Sequence, residues 1–239
     1  MHPLAQELID AYGGLERWRR FDTLSAHLVQ GGALWGLKGQ AGVLDDTNVT
    51  VHLKEEWASH SPFGAEGRRS IFTPGRVALL AADGTTEAEL AAPRDSFAGH
   101  QLDTPWNELQ LAYFAGCAMW TYLTLPFLLA APGVETEAAG EWQERGETWR
   151  RLHVRFPAAI ATHSTEQTLY VGADSLLRRH DYDVEIAGNT PGAHYMTDHV
   201  EVEGIRFPTR RRIFPRQPDG SALDAPLVVS IDLDDIRLG

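Results

Sequence analysis

One hydrophobic stretch dominates the polarity pattern of the chain. Residues 109 to 131, LQLAYFAGCAMWTYLTLPFLLAA, contain no charged side chain. Thr104 followed by Pro105 is typical of a helix N-cap with proline at the first helical position, and Pro126 cannot continue a helix. The pattern therefore predicts a helix from Pro105 to about Thr124. Because this helix is apolar on every side, it must be covered on every side.

Three environments would cover such a helix: a bilayer, a protein core, or the wall of a cavity that holds an apolar ligand. A run of about 20 apolar residues is long enough to cross a bilayer. Its flanks, however, carry only acidic residues and no Lys or Arg anchor, which disfavours a transmembrane segment. A structural core helix and a helix that closes a ligand cavity both stay open. In the second case the lining would comprise Trp106, Tyr113, Phe114, Trp120, Tyr122 and Phe127.

The rest of the chain mostly alternates between hydrophobic and polar positions, which is typical of β-strands. A short helix at 3–12 stops at Gly13-Gly14, and alternation begins at Thr23. The first half further predicts strands at 33–44, 48–57 and 68–73, and a hairpin at 76–90 whose turn, Asp83-Gly84, supplies positive φ angles. The second half predicts strands at 149–156, 165–172, 176–187, 194–202, 205–214 and 227–238. Short strands joined by tight turns form antiparallel meanders, so we expect a mainly β (α+β) fold with one continuous sheet, in a single domain over residues 1–239.

Several polar residues fall on the apolar face of these strands. Alternation places His180 and Tyr182 on the inner face of one strand, His194, Met196 and Asp198 on that of the next, and Arg211 on that of the third. If the three strands are neighbours, these side chains converge. One interpretation is a structural network in which Asp198 accepts from Arg211 and one histidine. The other is a polar floor under an apolar cavity, with Tyr182 and Met196 among the ligand contacts.

Composition narrows the function classes. The formal net charge of −12 disfavours nucleic acid and anionic membrane surfaces as partners. A single cysteine, Cys117, cannot form an internal disulfide, and the N-terminus lacks the pattern of a signal peptide, so we expect a cytoplasmic protein. The sequence has no nucleotide-binding or hydrolase motif, and His194 and His199 lie five apart, on opposite faces of a strand. We therefore expect neither a metal nor another cofactor.

Three segments together resemble a known family. They are AYGGLERW at 11–18 followed by TLSAHLVQGG at 23–32, the mid-chain helix, and HYMTDHVEVEGIRFPTRRRIF at 194–214. The pattern is similar to the bacterial LolA/LolB lipoprotein-carrier superfamily. The resemblance implies an incomplete antiparallel barrel, a half-barrel curled around inserted helices, with a hydrophobic cavity for acyl chains or other apolar molecules. This chain departs from the carriers because it has neither an export signal nor a lipobox cysteine near residue 1.

These observations leave three functional hypotheses. The first is a cytosolic protein that binds a hydrophobic small molecule or acyl chain, with Arg211 and His180 meeting its polar end. The second is a biosynthetic enzyme on the same fold, in which His180, His194, Asp198 and Arg211 perform acid–base chemistry on an apolar or aromatic substrate. The third is a domain that functions through surface contacts alone. The sequence does not indicate the oligomeric state.

Overall fold

A single antiparallel sheet of 13 strands forms the framework of the protein. The computed structural model describes all residues from Met1 to Gly239. The spatial order is β6-β5-β4-β3-β2-β1-β13-β12-β11-β10-β9-β8-β7, so two meanders join where β1 pairs with β13. The strands are β1 (Thr23–Gly31), β2 (Asp46–His52), β3 (Ala58–Ser61), β4 (Arg69–Thr73), β5 (Arg76–Leu80), β6 (Thr86–Ala91), β7 (Glu135–Glu144), β8 (Glu147–Arg155), β9 (Glu166–Val171), β10 (Leu177–Val184), β11 (Thr190–Val202), β12 (Ile205–Pro215) and β13 (Val229–Leu238).

The sheet curls around a central helix without closing. The helices are α1 (Pro3–Ala11), α2 (Leu15–Trp18), α3 (Ala33–Leu37) and α4 (Glu108–Thr124), and short 3-10 helices lie at Pro93–Phe97, Phe127–Ala130 and Glu185–Ala187. The chain leaves the sheet at the edge strand β6, passes through the interior as α4, and returns at the opposite edge as β7. These two edges do not pair with each other. The predicted mainly β half-barrel is confirmed.

The central helix is covered on every side, as its sequence requires. Every residue from Gln110 to Thr124 is buried, and α4 packs chiefly against β2 to β6. Gly116 allows the closest approach: a Cβ there would lie 2.3 Å from the Cβ of Phe72 on β4. None of the helices has both the length and the apolar character needed to span a membrane.

The start of α4 differs from the prediction. The helix begins at Glu108, and Asn107 is its N-cap. The Asn107 side chain accepts a hydrogen bond from the Gln110 N–H at 2.9 Å, while the Gln110 side chain accepts one from the Asn107 N–H at 3.0 Å. This reciprocal capping box satisfies two free donors at once, which the Thr104-Pro105 signal does not. The Thr104 hydroxyl instead accepts from the Gln101 N–H.

Two further local predictions need correction, and one strand has no clear signal in the sequence. The strand predicted at 33–44 is absent, because β1 ends at Gly31 and α3 follows at once. In the hairpin of β5 and β6 only Gly84 has a positive φ, and Asp83 contributes its carboxylate, which accepts the Thr85 N–H at 2.8 Å. Strand β7 was not predicted, since ETEAAGEWQE is rich in glutamate, glycine and alanine, which are uncommon in strands.

Candidate functional site

A cavity of about 280 Å³ lies between α4 and the C-terminal half of the sheet. Its helical wall is formed by Ala115, Ala118, Met119 and Tyr122, whose spacing of three and four places them on one stripe of α4. Its sheet wall comprises Tyr182, Val184, Ile213, Val229 and Ile231, from β10, β12 and β13. Alternation along these strands turns these side chains inward. The result is an interior void whose wall is almost entirely apolar.

The structure places four of the predicted ligand contacts at this cavity and four elsewhere. Trp106, Phe114, Tyr122 and Tyr182 line it. Tyr113 packs against Phe72 and Phe97 on another side of α4. Trp120 donates to the backbone carbonyls of His52, at the end of β2, and of Glu55, and Phe127 stacks on Trp18. Met196 is buried in the core and does not line the cavity. Because the helix is apolar on every side, its sequence does not show which stripe faces a void. This is why only some of the predicted contacts line the cavity.

The mouth of the cavity is framed by α3 and by the loop before α4. Leu37 and Leu102 line the mouth and are 45% and 41% exposed. Lys38 ties the two elements together, because its buried ammonium donates to the carbonyls of Gln101 at 3.2 Å and Thr104 at 3.1 Å. The ammonium also lies 4.5 Å from the ring centroid of Trp106. Burial lowers the pKa of Lys38 to about 8.

A buried polar cluster lies beyond the inner end of the cavity. His180, His194 and Arg211 are at most 2% exposed, and they project from the neighbouring strands β10, β11 and β12. The rings of His180 and His194 are 6.0 Å apart between centroids, and the Arg211 guanidinium lies 5.4 Å from the centroid of the Tyr122 ring. Arg210 and Arg212, in contrast, pair with Asp232 on the other face of the sheet. The structure thus brings these three predicted side chains together with Tyr182.

Asp198 does not join this cluster, and its predicted inward position is wrong. It adopts a left-handed backbone conformation, with φ of 57°, and its half-exposed carboxylate lies 3.1 Å from Arg210 Nη1. This local twist shifts the alternation of β11, so that His199 turns inward and its Nε2 lies 2.9 Å from the Tyr12 hydroxyl. Val200, which the alternation predicts to be buried, is 42% exposed. The cluster therefore contains no carboxylate from this strand.

Two members of the cluster were missed by reading the sequence. His163 lies in the loop between β8 and β9, and its Nε2 is 3.1 Å from the Tyr122 hydroxyl. Gln167 on β9 pairs with His180 at 2.5 Å through its side-chain oxygen. The hydroxyls of Tyr122 and Tyr182 also bond to each other. The loop residue had no periodic signal that would reveal its direction, whereas Gln167 lies at an inward position of a predicted strand.

The electrostatics of this cluster are unusual. Burial lowers the pKa of His163 and of His180 to about 3 and that of His194 well below its ordinary value, so all three imidazoles are neutral at pH 7. Desolvation lowers the pKa of Arg211 only to about 10, so this side chain keeps its charge. It donates to the Tyr122 carbonyl at 3.0 Å, but its Nε and both ring nitrogens of His194 have no hydrogen-bond partner.

A second group of contacts, on another side of α4, ties the two halves of the sheet together. Ala161, in the loop after β8, donates its N–H to the Glu56 carboxylate at 3.1 Å and accepts from the Cys117 thiol at 3.4 Å. Arg94 donates to the Tyr113 hydroxyl and to the Thr162 carbonyl. Burial raises the pKa of Glu56 to about 8 and raises that of the Cys117 thiol, so the thiol is unreactive at neutral pH.

Comparison with known proteins identifies the fold. No protein-family model matches the chain, and no curated protein matches it. A DUF1329 family protein from Desulfovibrio piger aligns with a TM-score of 0.56 at 11% identity, covering 98% of this chain and 91% of that one. A LolA superfamily protein from Nitrosomonas europaea gives 0.52 at 10% identity, covering 98% and 92%. A domain assigned to outer membrane lipoprotein sorting, from Vibrio parahaemolyticus, gives 0.51 at 10% identity, covering 98% and 90%.

These likenesses confirm the LolA-like fold that the sequence predicts. The alignments span nearly the whole chain and nearly the whole of each solved structure. At 10–11% identity they establish the architecture alone. Architecture of this kind does not define a function, which depends on the cavity and its surroundings.

Proposed function

We propose that this protein binds a hydrophobic small molecule or an acyl chain in the cavity between α4 and the sheet. The observation that carries the proposal is a void of about 280 Å³ with an almost wholly apolar wall. Protein interiors are normally close-packed, with few voids larger than a water molecule. An apolar cavity of about 150 Å³ is already enough to bind benzene. This void is nearly twice that size, and burial of apolar ligand surface would drive its occupation.

The shape of the site supports the same class of ligand. The cavity opens beside Leu37 and Leu102, so an apolar molecule would meet apolar side chains from the entrance inward. The domain from Vibrio parahaemolyticus is assigned to outer membrane lipoprotein sorting, and this supports a lipid-like ligand here. A cytoplasmic location stays a prediction from the sequence.

Filling the cavity tests this proposal. Ala118 is buried and lines the cavity, so the substitution Ala118→Trp would occupy the void. Ala41→Trp adds the same side chain at an exposed turn and serves as the matched control. We expect an apolar fluorescent probe such as 1-anilinonaphthalene-8-sulfonate to bind the wild type and the Ala41 variant, and to lose at least tenfold in affinity for the Ala118 variant. Equal affinities for all three folded proteins would contradict the proposal.

Native mass spectrometry supplies an independent measurement. A protein that carries an apolar ligand from the producing cells should show an additional mass that disappears on denaturation. We expect this mass on the wild type and on Ala41→Trp, but not on Ala118→Trp.

The alternative of acid–base catalysis gains no support from the geometry. The hypothesis combined His180, His194 and Arg211 with Asp198, which lies on the other face of the sheet. Without a carboxylate, the two histidines have pKa values far below 7 and are poor general bases. The geometry therefore favours hydrophobic ligand binding over acid–base catalysis.

A further inference from the structure

The buried cluster beyond the cavity carries an uncompensated positive charge. Arg211 is 2% exposed, and the groups that interact with its charge are the hydroxyls of Tyr12, Tyr122 and Tyr182. Burial raises the pKa of all three phenols, so none of them is a tyrosinate at pH 7. His163, His180 and His194 are neutral as described above. The whole cluster thus has a charge of +1 with no acid inside it.

Such an arrangement is unfavourable unless another group completes it. A buried charge is normally paired and hydrogen-bonded, because its removal from water is costly. Here the Arg211 Nε has no acceptor, and neither ring nitrogen of His194 has a partner. Buried polar atoms without a partner are rare in folded proteins. A cluster with three such atoms on adjacent strands is therefore suited to an external acceptor.

The cavity borders this cluster directly. Arg211 pairs across the sheet with Ile231 on β13, and Ile231 lines the cavity. Ile213, two residues further along β12 and on the same face, lines it as well. Tyr122 and Tyr182 contribute to the cavity wall and also contact the cluster through their hydroxyls and rings. Arg211 itself does not line the cavity, and Tyr122 and Tyr182 lie at the boundary between the cavity and the guanidinium.

We propose that the ligand of this cavity is a monocarboxylic acid with an apolar tail, whose carboxylate pairs with Arg211 beside His194. This inference rests on the hydrophobic ligand-binding function proposed above. A guanidinium presents two parallel donors that match the two carboxylate oxygens, and Nε is free to supply one of them. A single carboxylate cancels the charge of +1, whereas a phosphate monoester of charge near −2 would leave an excess negative charge in the interior.

The entrance to the charged cluster requires a side-chain movement. The hydroxyls of Tyr122 and Tyr182 bond to each other at the boundary. A carboxylate that reaches Arg211 replaces this bond, because each hydroxyl can then donate to a carboxylate oxygen. The tyrosines would thus change partners without losing a hydrogen bond.

A comparison of octanoate with octan-1-ol tests the inference. The two molecules share an apolar tail and differ in the charged group, so titration calorimetry at pH 7.5 isolates the contribution of the carboxylate. We expect the wild type to bind octanoate at least tenfold more tightly than octan-1-ol, a difference of about 1.4 kcal/mol. Arg211→Met should remove this preference while leaving the affinity for octan-1-ol within about twofold. Arg237→Met, which removes the same charge from an exposed site on β13, should keep the preference.

The possible outcomes separate the two proposals. If wild-type protein binds octan-1-ol as tightly as octanoate, the cavity is a ligand site but the acidic head group is wrong. If the protein binds neither molecule nor the fluorescent probe, the hydrophobic ligand-binding function itself is wrong.

A second measurement uses the wild type alone and so does not depend on how a variant at Arg211 folds. The ¹³C signal of carboxyl-labelled octanoic acid bound to the wild type should titrate below the pKa of the free acid, since the guanidinium stabilises the charged form. A bound carboxyl pKa above that of the free acid would show a head group in an apolar environment and would overturn the inference.

Discussion

Replacing Gly116 with alanine tests the packing of α4 on the sheet. A Cβ at this position would lie 2.3 Å from the Cβ and 2.4 Å from the Cγ of Phe72. Carbon atoms in contact are about 3.5–4.0 Å apart, so α4 and β4 would have to separate by roughly 1 Å. The Phe72 Cβ is fixed to the backbone of β4 and cannot rotate away. The clash can therefore be relieved only if α4 or β4 moves as a whole.

The expected effect on stability follows from two opposing contributions. Overpacking a well-packed core costs about 1–3 kcal/mol. Alanine is favoured over glycine in a helix interior by up to about 1 kcal/mol, which offsets part of that cost. We expect Gly116→Ala to lower the free energy of unfolding by about 1–2 kcal/mol, which corresponds to a Tm lower by roughly 2–8 °C in a chain of this size.

Gly36 provides the matched control. It lies in α3 without a positive φ, and a Cβ there would meet no atom within 4 Å. Gly36→Ala should stabilise the protein by about 0.5–1 kcal/mol, because it restricts the unfolded chain without a clash. Urea unfolding followed by tryptophan fluorescence measures both variants. If Gly116→Ala stabilises the protein as Gly36→Ala does, then α4 does not approach β4 as described.

Two other substitutions test the cap of α4 and the buried carboxyl. Asn107→Ala removes the capping box and should lower the free energy of unfolding by about 1 kcal/mol, more than Thr104→Ala does. If thermal unfolding shows that Thr104→Ala destabilises the protein more than Asn107→Ala, the helix starts at the position that the sequence predicts. The pKa of Glu56 is raised from 4.5 to about 8, so between these values the folded protein binds more protons than the unfolded chain, and stability falls as pH rises. Glu56→Gln removes this pH dependence, so the urea midpoint of the variant should rise relative to that of the wild type from pH 5 to pH 8. If the two midpoints change with pH in the same way, the raised pKa of Glu56 is wrong.

Strand alternation predicted much of the fold and part of the polar cluster. The six strands predicted in the second half all exist, because their period of two is regular and their turns are marked. The same periodicity placed His180, His194 and Arg211 on the inner face. It failed at Asp198, where one left-handed residue reverses the direction of the following side chains. Aspartate adopts the left-handed conformation more readily than most residues, but the alternation of a strand does not mark where this happens.

The sequence allowed a cavity beside the central helix but did not show which side of the helix faces it. The central helix is apolar on all sides, so nothing distinguishes the stripe of Ala115, Ala118 and Met119 from the stripes that pack against strands. His163 was missed because it belongs to a loop, where periodicity does not apply. The position of a void depends on how far apart the packed elements lie, and that distance is a property of the assembled fold.

The open edge at β7 has a consequence for self-association. Strand β7 pairs with β8 on one side only, so its other side presents unpaired backbone groups to solvent. Glu135, Glu137 and Glu141 are exposed along it, and the pairing with β8 is interrupted between Ala138 and Glu141. Negative charge and an irregular backbone are two devices that discourage a second chain from adding a strand. Replacing the three glutamates with neutral residues would remove the first device and leave only the second, so such a variant is the form of the protein in which fibril growth from this edge becomes easiest.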